Sequence, residues 1–342
     1  MQPKNVALIG YGLAGKVFHA PLITHVSGLR LAAIVSSRAD EIARDYPSVP
    51  VKTVEEAMTD PSIDLVVVAT PNDTHFELVS RALALGKHVV VDKPFAVTLE
   101  EARALKAEAD KAGLLLSVYQ NRRWDSDFLT LKRLIGEGVL GEIVYFESHF
   151  DRHRPQVKGG WRDGAGPATG TWYDLGSHLI DQALHLFGKP LGVTADLAIQ
   201  REGARTTDYF HVLLRYERLR VVLKGSSLAP ADDIRFIVHG TAASFIKHGL
   251  DTQEPFLRAG GRPGDEAYGG DPLPGKLVLA DGTSHLVAPE RGCYQHYYSA
   301  MRDALLGKGP VPVTTGEGCS VMEILGMGAE SSVSRCERTI AD

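Results

Sequence analysis

The feature that most constrains this chain lies near its start: Val6-Ala7-Leu8-Ile9-Gly10-Tyr11-Gly12-Leu13-Ala14-Gly15. A short apolar run is followed by glycines at 10, 12 and 15, the G-x-G-x-x-G spacing, and then by helix-compatible sequence. The first glycine of such a run permits a tight turn, the second lets a pyrophosphate approach the backbone, and the third lets helix pack closely on strand. The helix N-terminus behind it offers unsatisfied N–H groups to an anion. The expectation is a dinucleotide site contacted by Gly10, Gly12, Leu13, Ala14 and Gly15. A purely structural turn is the alternative.

The surrounding sequence supplies the context that this motif needs. Apolar, β-branched runs recur at Asn5–Ile9, Leu31–Val35, Leu65–Ala69, His88–Val91 and Leu114–Val118. Continuous rather than alternating hydrophobicity marks strands buried on both faces of a parallel sheet. Between them lie helical patterns such as Glu100–Ala112, opened by a Thr98/Glu101 capping box. Strand–helix alternation predicts a doubly wound α/β domain. Beyond about residue 121 the pattern changes to longer strands, at Ile143–His149, Tyr209–Tyr216, Arg220–Ser226, Arg235–His239 and Lys276–Leu279, several alternating in polarity. Asp281-Gly282 predicts a hairpin, helices are expected near 125–137, 173–187, 292–306 and 317–334, and 251–275 reads as a long loop. Two domains are expected, 1–121 and 122–342.

Ligands of open α/β sheets bind beyond the carboxyl ends of the strands, so the residues that follow each run are the next candidates. After the second run stand Ser36, Ser37 and Arg38, with no carboxylate to repel a 2′-phosphate and an arginine to pair with one. That favours NADP over NAD. After the third run Thr70, Pro71, Asn72 and His75 are expected at the cofactor. After the fourth come Asp92, Lys93 and Pro94, and the Lys93 ammonium could stabilise alkoxide character on a substrate oxygen. In the second domain Asp174 and His178 are four residues apart, which on a helix is one face. A carboxylate beside an imidazole makes a plausible general base. A helix cap beside an unrelated histidine is the bland alternative.

Composition closes off other classes. Net charge is −5 with both signs interspersed, against a nucleic-acid surface. Cys293, Cys319 and Cys336 are too scattered for a disulfide framework. Among 13 histidines, His149, Asp151 and His153 alternate along a strand, and His296 and Asp181 could join them. With no HExxH or Cys/His cluster, however, no metal is expected. No secretory or membrane-spanning segment is recognised, so the expected location is the cytoplasm.

Gly10-x-Gly12-x-x-Gly15, Asp92-Lys93-Pro94 and Asp174-x-Gly176-x-His178, in that order and followed by Pro312-Val313-Thr314-Thr315-Gly316-Glu317, resemble the glucose–fructose oxidoreductase/inositol dehydrogenase/MocA family. The family usually has Glu-Lys-Pro where this chain has Asp92. The resemblance implies an N-terminal Rossmann domain and a C-terminal α/β domain with a large open-faced, mainly antiparallel sheet, which commonly forms the dimer interface. It implies a cis Lys93–Pro94 bond and a catalytic set of Lys93, Asp174 and His178, with Lys93 also at the cofactor. Gln120–Asp125 and Phe146–Arg152 look most like the NADP-dependent scyllo-inositol 2-dehydrogenase branch. Asn121 is then expected at the cofactor. Arg123, Arg152, Arg154, Trp161 and Asn121 are candidates to line a polyol pocket. The expected partners are a small polyol or sugar and a second copy of the chain, as a homodimer or dimer of dimers. Two rival readings share this fold: tightly bound NAD(P) used for transient oxidation without net redox, and a non-catalytic NADP(H)-binding regulator.

Overall fold

The computed structural model describes residues 2–157, 159, 164–231 and 233–340, which form two compact units. The first contains strands β1 (Lys4–Ile9), β2 (Leu29–Val35), β3 (Leu65–Val68), β4 (His88–Val91) and β5 (Leu116–Val118) in the order β2-β1-β3-β4-β5, every pair parallel. Leu65 to Val68 and Val89 to Val91 are completely buried, so neighbours facing opposite sides are covered alike. The helix Leu99–Ala112 starts where expected: Thr98 Oγ1 accepts from Glu101 N at 3.1 Å, and Glu101 Oε2 accepts from Thr98 N at 3.3 Å.

All five strands end on one edge, and the residue after each of several strands adds one more ladder bond. Gly10 N donates to Val35 O at 2.9 Å, Ala69 N to Ile9 O at 2.8 Å, Asp92 N to Val68 O at 2.9 Å and Tyr119 N to Val91 O at 2.8 Å. The candidate cofactor residues therefore follow the carboxyl edge, and the strand order reverses between β1 and β3, where such sheets open a crevice. Residues 253–268 and 293–319 also belong to this unit. Ser117 Oγ donates to Val313 O at 2.8 Å and accepts from the Tyr297 hydroxyl at 2.8 Å, which ties β5 to those returning segments. The stretch expected as one long loop contains a short helix, Gln253–Arg258. Pro255 is its third residue, a place where its missing N–H costs nothing.

Among the described residues the second unit holds nine strands: β6 (Ile143–His149), β7 (Gly192–Ala198), β8 (Tyr209–Arg215), β9 (Arg220–Ser226), β10 (Ile234–Gly240), β11 (Ala243–His248), β12 (Gly275–Leu279), β13 (Ser284–Val287) and β14 (Arg338–Thr339). Their order is β13-β12-β11-β10-β6-β9-β8-β7-β14, and only β6 and β9 run parallel. Asp281-Gly282 makes the hairpin between β12 and β13, with Gly282 at φ 87°. One face packs on helices. Fully buried Trp172 donates from Nε1 to Leu325 O at 3.0 Å and meets the Phe210 ring edge-on at 5.3 Å. A Cβ at Gly328 would stand 2.5 Å from that indole, so the helix Thr315–Ser334 needs glycine there. On the other face Thr194, Asp196, His211 and His239 are exposed, the alternation of a sheet with one open side.

Under the closed face lies a buried polar network. Arg235, on β10, donates from Nε to Asp127 Oδ2 at 2.9 Å, from Nη1 to Ser148 Oγ at 2.7 Å and from Nη2 to Gln182 Oε1 at 2.8 Å. Both charges of the pair are fully buried. Replacing such a pair by apolar residues is often tolerated, whereas removing one partner strands a charge in low dielectric. Arg235→Met is expected to lower unfolding free energy by about 3–5 kcal/mol, and adding Asp127→Leu to recover most of it. Urea midpoints of the three proteins check this. A single-variant loss below about 1 kcal/mol would show the pair is not holding the layer.

Candidate active site

The three glycines of the first turn have different reasons to be glycine. Gly10 has φ 102°, and a Cβ there would lie 2.3 Å from Ala69 O. At Gly15 a Cβ would lie 2.1 Å from Gly10 O. These two positions are fixed by contacts within the unit. Gly12 is not: a Cβ there would meet nothing within 4 Å. Open space over the middle glycine, beside a helix start, is what a pyrophosphate lying against the backbone requires, so the residues fit a dinucleotide. Ala14 is half-buried and Leu13 exposed.

Beyond β2, Ser36 Oγ accepts from Arg38 N at 3.2 Å and closes the turn. The Arg38 side chain is 56% exposed and lies 3.4 Å from Glu41, a carboxylate that also holds Lys16 at 2.6 Å. Beyond β3, Thr70 and Thr74 share a hydroxyl contact at 2.6 Å, Pro71 is exposed, and Asn72 is buried. His75, expected at the cofactor, is instead fully buried, with Nδ1 2.9 Å from Pro94 O and Nε2 3.1 Å from Thr70 O. Burial pushes its pKa below the ordinary histidine value. The neutral ring carries a single N–H, so it donates to one carbonyl at a time while bracing both turns.

The Lys93–Pro94 bond is cis, as the resemblance implied. Asp92 Oδ1 accepts from Lys93 N at 2.8 Å, and Oδ2 lies 3.8 Å from Nε2 of buried His19. His19 Nδ1 is 2.6 Å from the Tyr298 hydroxyl. Burial alone would raise the Asp92 pKa, but His19, together with the Lys93 charge, holds it below the usual carboxylate value. The shortened acid is thus kept ionised beside Lys93. His19 and Tyr298 were not singled out from the sequence, because nothing in their spacing links residues so far apart. Asn121 is buried just beyond β5.

In the second unit Asp174 lies in a π-helical turn, Trp172–Gly176, which runs directly into the helix Ser177–Phe187 carrying His178. Hydrogen bonds in such a turn span five residues, so the four-residue same-face rule does not carry across it. Asp174 is half-buried and lines a cavity of about 150 Å³, shared with Arg152, Arg154, Arg201, Thr207 and Ser226. His178 is buried one turn further on. Arg123, expected at the polyol pocket, forks onto Asp181 through bonds of 2.8 and 2.7 Å and is 6% exposed. Its planar guanidinium is committed to a buried structural pair. Trp161 lies outside the described residues.

The residues considered for a metal are arranged differently from a ligand cluster. His149 contacts Glu147 at 2.6 Å and Asp151 at 3.2 Å, and Asp151 also pairs with Lys224 at 3.2 Å. Burial lowers the His149 pKa, but the two carboxylates outweigh it and raise the value above the ordinary one. Among the described residues no group of three or more His, Cys, Asp or Glu is placed to hold a metal, and no helix is long and apolar enough to cross a membrane.

A parallel sheet with a first turn that fits a pyrophosphate defines a dinucleotide-binding domain, followed in the chain by an α/β unit with a polar pocket. Residues 4–120 match the model of the oxidoreductase family's NAD-binding Rossmann fold, and 132–336 match that of its C-terminal alpha/beta domain. The chain belongs to the Gfo/Idh/MocA oxidoreductase family. It is 52% identical to the uncharacterized oxidoreductase YdgJ of Escherichia coli over 98% of this chain and 99% of that one. It is 45% identical to the scyllo-inositol 2-dehydrogenase (NADP(+)) IolW of Bacillus subtilis over 98% and 95%. The yvaA oxidoreductase structure from Bacillus subtilis superposes with a TM-score of 0.97 at 43% identity, covering 99% of both chains.

Gly12 gives a clean separation of folding from binding. Gly12→Ala is expected to leave the urea midpoint unchanged or slightly raised, since alanine there costs no contact and restricts the unfolded chain. Dinucleotide affinity should fall by roughly tenfold or more, read by fluorescence titration with NADPH. Undiminished affinity would contradict the placement of the pyrophosphate.

Proposed function

We propose that the chain is an NADP-dependent dehydrogenase acting on a secondary alcohol, or the matching ketone, of a cyclic polyol or sugar. The observation that carries this reading is Gly12, the one glycine of the turn that the fold itself does not require. NADP is favoured because the β2 turn offers Ser36, Ser37 and the exposed Arg38 in place of a carboxylate. The full-length relative IolW carries NADP(+) and scyllo-inositol in its name, which makes scyllo-inositol the first substrate to test.

The nicotinamide, when bound, takes or returns the hydride. The rest of the chemistry falls to side chains. His178 takes the hydroxyl proton on an imidazole nitrogen, Asp174 orients the substrate or that ring, and the Lys93 ammonium polarises the reacting oxygen. Asp92 supports Lys93 by holding its backbone N–H at 2.8 Å. His19 and His75 position this turn from behind and touch no substrate in this reading. Thr70, Pro71, Asn72, Pro94 and Asn121 complete the cofactor surface, and Arg152 serves the substrate. The open face of the nine-stranded sheet takes a second copy of the chain. Its exposed Asp196, His211 and His239 would sit in that interface.

NADP reduction is to be followed against a panel of inositols and aldoses, with NAD in parallel. Lys93→Met and His178→Asn are expected to lower kcat by about 10²–10⁴-fold while NADPH binding persists. Arg38→Glu should cut kcat/KM for NADP by roughly 10–100-fold and spare NAD. Turnover with NAD alone would contradict the cofactor assignment, and full activity in His178→Asn would contradict its role.

A further inference from the structure

The exposed arginine that favours NADP has a carboxylate at its side. Arg38 Nη1 lies 3.4 Å from Glu41 Oε2, which stands on the helix Ala39–Asp45. An arginine fully engaged by its own acid would offer little to a 2′-phosphate, and the acid would repel the incoming anion. A second cation resolves this conflict. Lys16 Nζ stands 2.6 Å from Glu41 Oε1 and 3.0 Å from Asp45 Oδ2. The Lys16–Glu41 contact is as short as a strong charged hydrogen bond, usually about 2.7–2.9 Å, and the Arg38 contact is well beyond that length.

Lys16 is built into this place from several sides. Its backbone N–H donates to Gly12 O at 2.9 Å where the π-helical turn Gly15–His19 begins, so the glycine turn itself fixes its Cα. Glu41 and Asp45 are four residues apart on one helix, which puts both carboxylates on one face, where by themselves they would repel. Asp45 is anchored in turn by the Tyr11 hydroxyl, which donates to the same Oδ2 at 2.8 Å. Tyr11 stands between the first two glycines, is buried, and meets the Tyr46 ring edge-on at 6.3 Å. The Lys16 hydrogen bond, more than Arg38, holds the Glu41 pKa below the usual glutamate value. Hydrogen bonds to Glu41 and Asp45 raise the Lys16 pKa, so the ammonium stays charged between them.

We propose that Lys16 determines cofactor specificity through Glu41: by neutralising that carboxylate it leaves the Arg38 guanidinium for the 2′-phosphate of NADP. Lys16 is a positioning residue in this role and touches no part of the dinucleotide. The inference rests on the NADP reading, in which Arg38 meets that phosphate. Without Lys16, Glu41 turns to Arg38, and the arginine is already paired when the phosphate arrives. Lys16 is thus the reason an acid three residues beyond Arg38 is compatible with binding a 2′-phosphate.

The test is calorimetric titration of the full chain with adenosine 2′,5′-bisphosphate and with 5′-AMP, whose affinity ratio reads the 2′-phosphate alone. Lys16→Met should lower that ratio roughly three- to tenfold by weakening the bisphosphate, while 5′-AMP affinity changes less than about twofold. Glu41→Gln should keep the ratio or raise it, because the repelling acid is gone. Lys16→Met combined with Glu41→Gln should return it to within about twofold of Glu41→Gln, and Lys16→Arg should preserve it. The substitutions are at the surface, and 5′-AMP binding reports that each variant is folded. A ratio unchanged in Lys16→Met overturns the proposal. An equal fall with and without Glu41 overturns it as well, since the lysine would then meet the phosphate itself. A wild-type chain that does not distinguish the two nucleotides contradicts the NADP reading and this inference with it. A wild-type preference lost in Arg38→Gln but untouched in Lys16→Met contradicts this inference alone.

Discussion

Two backbone carbonyls stand where two side chains would otherwise be, and the nucleotide end of this molecule depends on that. Gly15 lets its helix close to within van der Waals range of Gly10 O, and Gly10 lets the turn close on Ala69 O. A methyl at either position would meet those oxygens at 2.1 and 2.3 Å, distances no packing adjustment absorbs. With the helix seated this way, β1 and β3 stay adjacent, the strand order reverses between them, and the carboxyl edge opens at the switch point. The turns after β3 and β4 are then braced from behind by His75, which spans the carbonyls of Thr70 and Pro94. The same logic places Lys93: Asp92 holds its N–H, and His19 keeps Asp92 ionised.

The second unit reuses this device in a different setting. Most of its sheet is antiparallel, yet the cavity sits beyond the ends of the single parallel pair, β6 and β9. Parallel neighbours end on the same edge, which brings Arg152, beyond β6, and Ser226, the last residue of β9, to a common place. The loop before β8 closes that place from another side, with Thr171 N donating to Thr207 O at 2.7 Å. Elsewhere in the same unit the Arg235–Asp127 pair, joined through Gln182 to the Arg122 carbonyl, fixes the helices against the sheet. That layer is held by hydrogen bonds as well as by apolar contact.

Much of this is readable from the chain because the physics is local. The five parallel strands show as continuous apolar runs, the capping box at Thr98 announces its helix, and Asp281-Gly282 announces its hairpin. What stays hidden depends on partners distant in sequence. Arg123 looks like a pocket residue until its fork onto Asp181, 58 residues away, is seen. His75 looks like a ligand contact until both ring nitrogens are found against carbonyls. The strands Gly192–Ala198 and Ala243–His248 mix small and charged residues among their apolar ones and carry little β signal of their own; pairing within the sheet forms them. The π-helical turn at Trp172–Gly176 has no recognised sequence mark, and it alters the spacing argument for Asp174 and His178. Arg201, which lines the cavity at Asp174, belongs to no motif at all.

In the proposed reaction hydride would move directly between the nicotinamide, when bound, and a carbinol carbon. The most direct measurement supplies NADPH deuterated at C4 of the nicotinamide, on each face in turn, together with a ketone substrate, and reads the product by mass spectrometry. Deuterium at the carbinol carbon, from one face only and in proportion to NADPH consumed, is the predicted result. Product lacking deuterium from both labelled forms, or NADPH that is bound but never consumed, would contradict it.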